Sequence, residues 1–171
     1  MTRAGVLIFI SFFIYLLVQV MLMKNLVLFN TAFCFLYAAF ILFLPIETNT
    51  LALMLIGFVM GFFVDIFYDS LGLHACSLVA IGYVRNYWLG TITPQGGYDA
   101  GAAPTIAANG TQWFLTYTIP LLFLHHFILF FVEAGGFSGF GFTLLKTVMS
   151  MFFTLIALVL LQFFQPRQRR L

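Results

Sequence analysis

Long apolar runs separated by short polar breaks fill the 171 residues of this chain. The runs are continuously apolar and lack the two-residue alternation of barrel strands, so they read as helices. They cover about 4–23, 26–44, 51–67, 71–89, 113–134 and 142–164, and several reach the roughly 20 residues that carry a helix across a bilayer. The pattern predicts an all-α integral membrane protein, a single polytopic domain with six transmembrane helices. Lys24 and Asn25 form a short break that turns the first two helices into an antiparallel hairpin, and Pro45 stops the second. Thr48 or Asn49 suits the N-cap of the third helix, and Asp69 or Ser70 that of the fourth. Residues 90–112 change abruptly to Gly, Ala, Pro, Thr and Asn, with Asp99 the only charge, and are expected to be a loop bracketed by the interfacial rings of Trp88 and Trp113. Residues 135–142, GGFSGFGF, form a tight turn.

Composition sharpens this picture. With 63% hydrophobic and 7% charged residues, the chain cannot supply the polar shell of a water-soluble domain. The first run is too long for a cleaved secretory signal and reads as a retained anchor, with no soluble catalytic domain appended. A net charge of +2, scattered or terminal, excludes a nucleic-acid surface. Cys34 and Cys76 lie inside apolar runs and read as inert thiols. Six spans place both termini on one side, with Arg3, Arg85, Arg167, Arg169 and Arg170, against Lys24 and Lys146 on the other. The positive-inside rule then makes the termini and the 90–112 loop cytoplasmic, which discounts the Asn109-Gly110-Thr111 glycosylation tripeptide.

The rare polar residues carry the candidate chemistry. Gly57, Gly61 and Asp65 stand four apart, one stripe on a helix where another backbone can approach the glycines and meet the carboxylate a turn later. Asp65 has two readings: an internal one, bonded to the amides opening the fourth helix or paired with Lys24, Lys146 or His74, and a partner-docking one. Arg85, about 20 Å further along its helix, is expected to snorkel to the cytoplasmic headgroups instead. Asp65, Asp69, His74, Glu133 and Lys146 all fall in the outer half, where Glu133 and Lys146 are expected to pair across the last hairpin. His125 and His126 are adjacent and diverge by about 100°, unlike the i, i+4 pair of a metal-binding helix. No hydrolase, zincin or phosphate-loop motif is present, so no cofactor, metal or catalytic residue is expected.

Gly57-x-x-x-Gly61-x-x-x-Asp65 ending one helix, with Gly72 opening the next, resembles the MreD family of rod shape-determining proteins. The resemblance implies a non-enzymatic subunit of the bacterial cell-elongation complex in the cytoplasmic membrane. Its partners would be the bitopic protein MreC, the MreB cytoskeleton and wall-synthesis enzymes, and its fold would be similar to that of the substrate-binding subunits of energy-coupling-factor transporters. Gly57, Gly61, Asp65 and Gly72 would be the motif positions, and the glycine face or a neighbouring groove would receive the partner's helix. The rival expectation is a vitamin-type transporter subunit whose outward cavity is lined by Asp65, His74, His125 or Glu133.

Overall fold

The computed structural model describes residues 3–99 and 101–164, so the basic tail used for the orientation argument lies outside the described residues. Five long helices dominate: α1 (Arg3–Met21), α3 (Thr50–Tyr68), α4 (Leu73–Thr91), α6 (Thr111–Glu133) and α7 (Phe140–Phe164), with short helices α2 (Ala38–Phe43) and α5 (Ile106–Asn109) between them. Gly5–Asn25, Thr50–Tyr68, Thr111–Glu133 and Phe140–Phe163 are long and apolar enough to cross a membrane. The chain is all-α, with several long apolar helices, consistent with a multi-pass membrane protein.

The largest departure from the sequence pattern is the helix expected over 26–44. A 3-10 turn (Met23–Asn25) leads into a minimal hairpin of β1 (Val27–Leu28) and β2 (Ala32–Phe33), with Val27 opposite Phe33 and Leu28 opposite Ala32. Three residues join the paired Leu28 and Ala32; Phe29 and Asn30, at φ 51° and 57°, are the central residues of the turn that the Thr31 N–H closes on the Leu28 carbonyl at 3.1 Å. Two positive φ values match the right-handed twist of a hairpin, and Asn tolerates that conformation well. The chain then runs unwound to α2, and residues 34–42 are buried throughout.

An unwound backbone in an apolar core needs hydrogen-bond partners from elsewhere. Ser150 Oγ accepts from the Phe33 N–H and Thr154 Oγ1 from the Phe35 N–H, both at 3.0 Å, and Gln19 Oε1 accepts from the Tyr37 N–H at 3.3 Å. Gln19 Nε2 also donates to the Cys34 carbonyl at 3.1 Å and to the Tyr68 hydroxyl at 2.7 Å. The match with α7 is geometric. Four residues of helix rise about 6 Å and two residues of extended chain span roughly 6.6 Å, so Ser150 and Thr154 meet alternate amides of the unwound segment.

The remaining connections close the other end of the bundle. The expected 90–112 loop is partly helical, because α4 continues to Thr91 and α5 forms before α6. Trp113 Nε1 donates to the Ile92 carbonyl and Trp88 Nε1 to the Thr116 carbonyl, both at 3.1 Å. The second bond has a local cause: Pro120 lies inside α6 and has no N–H for the carbonyl four residues before it, so Trp88 supplies the donor.

Candidate functional site

Four of the residues singled out in the sequence form one joint between α3 and α4. Built onto Gly61, a Cβ would sit 2.3 Å from the Ala75 Cα and 2.4 Å from its nitrogen; at Gly57 the nearest atom is the Leu78 carbonyl oxygen at 3.1 Å. The glycine stripe therefore faces α4 of the same chain. A partner helix cannot use it, and that docking expectation is corrected here. Close approach brings the opening turn of α4 to the Asp65 carboxylate, whose Oδ1 accepts from the His74 N–H and Oδ2 from the Ala75 N–H, each at 3.0 Å. Ser70 Oγ donates to Oδ1 at 2.6 Å.

These are the second and third residues of α4, whose amides have no partner within the helix. Gly72, at the N-cap with φ 84°, has no side chain to cap them, so the carboxylate at the end of the preceding helix does so. This is the internal reading of Asp65, with the N-terminal dipole of α4 adding to it. Asp69 does not cap α4 as expected. It ends α3 in a left-handed conformation, φ 53°, and its backbone N–H donates to the Asp65 carbonyl.

A second polar group surrounds the unwound segment. The Tyr37 hydroxyl lies 2.6 Å from His74 Nδ1 and 2.8 Å from His125 Nε2. One phenolic proton serves two ring nitrogens, so one histidine presents a bare nitrogen and the other an N–H. His126 turns away: its Nδ1 donates to the Leu122 carbonyl at 2.7 Å, and its Nε2 lies 3.1 Å from Thr154 Oγ1. The Phe35 ring contacts all three imidazoles, at centroid distances of 5.5, 6.0 and 5.4 Å. His125 Nδ1 is buried without a hydrogen-bond partner.

Arg85 contradicts its expected snorkelling position. Its side chain is fully enclosed, and Nε donates to the Tyr117 hydroxyl at 2.8 Å. One terminal nitrogen donates to the carbonyl of Leu44, with those of Leu42 and Pro45 at 3.5 and 3.4 Å. The Tyr117 hydroxyl in turn donates to the Leu42 carbonyl at 2.8 Å. These carbonyls belong to the end of α2, where a cation complements the C-terminal dipole.

Glu133 and Lys146 lie across the α6–α7 hairpin, where Lys146 Nζ donates to Glu133 at 2.7 Å. Lys146 also sits over the rings of Phe33 and Phe130, 4.9 and 4.3 Å from their centroids, and so borders the hairpin of the unwound segment. Lys24 marks the same end of the bundle, donating to the Phe67 carbonyl. Cys34 is buried and Cys76 exposed, both as free thiols. Among the described residues no group of His, Cys, Asp and Glu is placed to hold a metal ion.

Several residues central to this arrangement carry no signal of charge and were not singled out in the sequence: Gln19, Tyr37, Tyr117, Ser150 and Thr154. The available signal was periodic. Thr143, Thr147, Ser150 and Thr154 are spaced four, three and four apart along α7, a buried polar stripe in an apolar helix that calls for partners inside the bundle.

Clefts open on the surface of the described residues. An open apolar groove of about 510 Å³ lies between α1 and α3, with Phe40 of α2 at its base, and a smaller one of about 220 Å³ is bordered by Tyr15, Pro45 and Thr105. Neither is lined by Asp65, His74, His125 or Glu133. Compared with known protein families, curated proteins and solved structures, the chain matches none.

Proposed function

We propose that this chain is a non-enzymatic membrane subunit of the bacterial cell-elongation (rod) complex, of the MreD type. It binds the bitopic protein MreC and acts with MreB and the wall-synthesis enzymes in the bacterial cytoplasmic membrane. In this reading the chain crosses the bilayer six times, the 32–44 segment, unwound and then helical in α2, making the second crossing, with both termini cytoplasmic and a layout similar to transporter substrate-binding subunits.

The supporting observation is the α3–α4 joint. The residues that carry the family resemblance, Gly57, Gly61, Asp65 and Gly72, act as one mechanical unit: two close approaches, a cap and a left-handed turn. Such a joint builds a rigid platform inside the membrane, and a scaffold subunit needs one. The transporter reading has less support, because Asp65, His74 and His125 are enclosed and bonded to the chain's own amides and to Tyr37.

Depletion of the chain in its source bacterium tests the proposal directly. The expected result is rounding of rod-shaped cells together with recovery of MreC alongside the tagged full-length chain from solubilised membranes. Normal cell shape after depletion and no recovered MreC would overturn it.

A further inference from the structure

The three histidines of the chain, His74, His125 and His126, all lie against the Phe35 ring of the unwound segment. Their protons can be counted. His126 Nδ1 faces the Leu122 carbonyl, which can only accept, so Nδ1 carries that ring's proton and the bare Nε2 takes the proton of the Thr154 hydroxyl. His74, Tyr37 and His125 form a row with four proton positions: His74 Nε2, the two contacts of the Tyr37 hydroxyl at 2.6 and 2.8 Å, and His125 Nδ1. Two neutral imidazoles and a phenol bring three protons to it. Each contact needs one, so one end of the row is bare.

The surroundings decide which end. His125 Nδ1 is enclosed without a hydrogen-bond partner, whereas His74 Nε2 is not an enclosed orphan, and His74 is 4% exposed where Tyr37 and His125 are 0%. An orphaned buried N–H is a rarer and costlier defect than an unused lone pair. The bare position is therefore His125 Nδ1, and His74 and His125 both carry their proton on Nε2. A fourth proton fills the row. Whichever ring then holds the charge, either a contact to Tyr37 breaks or an N–H stands at His125 Nδ1 with nothing to receive it.

We propose that this row is an acid-released latch, which ties the unwound segment to α4 and α6 while the rings are neutral and frees residues 35–37 when a proton is added. The charged and titratable neighbours leave the count unchanged. On α3, Asp65 spends its oxygens on the His74 and Ala75 amides and on Ser70, and the Tyr68 ring packs on His74 with Lys24 on it. Glu133 of α6, paired with Lys146 of α7, acts on His74 from further off, the His126 ring lies 5.1 Å from that of His125, and Cys34 is a free thiol. Asp65 and Glu133 draw a proton toward His74, but none of these groups accepts one from His125 Nδ1. An unfolded histidine is protonated below about pH 6.5, so the stability held by neutral rings is full above that pH and lost as pH falls through it.

Nitrogen NMR of the full-length chain in detergent, labelled only at histidine, reads the count without any mutation. At about pH 7.5 the expected spectrum holds three neutral rings, two protonated at Nε2 and one at Nδ1. Three rings protonated at Nδ1 would put the bare position on His74 and overturn the proposal, as would a charged ring at that pH. Hydrogen exchange at the Phe35 and Tyr37 amides reads the latch itself. Between about pH 7.5 and 5.5 their protection should fall about tenfold for each ring protonated on release, with charged rings appearing over the same range. Protection that does not change, or charged rings in a chain whose two amides stay protected, overturns the proposal. The double variant His74→Gln, His125→Gln should lose most of the pH dependence; the same acid-induced loss in that variant assigns it to other groups and overturns the latch. If the double variant does not fold, the wild-type spectrum and exchange decide alone.

Discussion

Replacing Gly61 with alanine tests the α3–α4 joint most sharply. The added methyl would lie 2.3 Å from the Ala75 Cα, whereas carbon atoms in contact stand about 3.5 to 4.0 Å apart. The two backbones must separate locally by more than about 1 Å, because the obstructing atoms are main chain and have no rotamer to change. The bonds from His74 N–H and Ala75 N–H to Asp65, now 3.0 Å each, would stretch beyond useful length. Two hydrogen bonds to a carboxylate are worth about 1.5–3 kcal/mol each, and overpacking adds about 1–3 kcal/mol. Alanine recovers only about 1 kcal/mol of helix propensity. Gly57→Ala is the matched control: its nearest atom is 3.1 Å away, so a shift of a few tenths of an ångström relieves the contact and the propensity gain offsets most of the cost. The thermal midpoint of the purified protein in detergent, read by tryptophan fluorescence, should fall at least about 6 °C further for Gly61→Ala than for Gly57→Ala, at roughly 2–4 °C per kcal/mol. Midpoints within about 2 °C of each other would show that close approach at Gly61 does not hold the cap in place.

Three further expectations can be checked in the same assay. Asp65→Asn keeps the shape but turns one acceptor into a donor facing an amide N–H, and should cost about 1.5–3 kcal/mol; a neutral result would remove the capping role. Arg85→Met leaves the α2 carbonyls and the Tyr117 hydroxyl short of donors and should cost about 1–3 kcal/mol for each buried acceptor left unpaired, with Arg85→Lys recovering part of it; equal midpoints for Met, Lys and the wild type would refute this. Ser150→Ala and Thr154→Val each orphan one buried amide, of Phe33 and Phe35 respectively, and should cost about 1–3 kcal/mol apiece. Hydrogen exchange at those two amides, faster in the variants, reads the same effect locally.

Long-range hydropathy made α1, α3, α4, α6 and α7 legible, because a run of nearly twenty apolar residues bounded by Pro, Gly or Asn has few other uses. It misread 26–44 for the same reason. Continuous hydrophobicity does not distinguish a membrane helix from an extended segment enclosed on every side, and the decisive partners, Ser150 and Thr154, lie more than a hundred residues away. The alternation of Phe33, Phe35 and Tyr37 after Asn30 was the local hint. Asp65 was legible as a residue needing partners because a carboxylate in hydrocarbon is expensive, and the glycines four and eight residues before it announced a close approach. Which helix approached was not encoded in the stripe. Arg85 was misplaced because its acceptors are carbonyls at the end of α2, and an unfulfilled carbonyl has no letter in a sequence.

The unwound segment also fixes an order of events during synthesis. Two of its amides are satisfied by α7, the last described helix of the chain, so a ribosome-bound intermediate lacking residues beyond 140 holds the Phe33 and Phe35 N–H groups without these acceptors. The unwound segment is completed only once α7 is in place. A chain truncated before α7 therefore lacks both hydroxyl acceptors for the unwound segment.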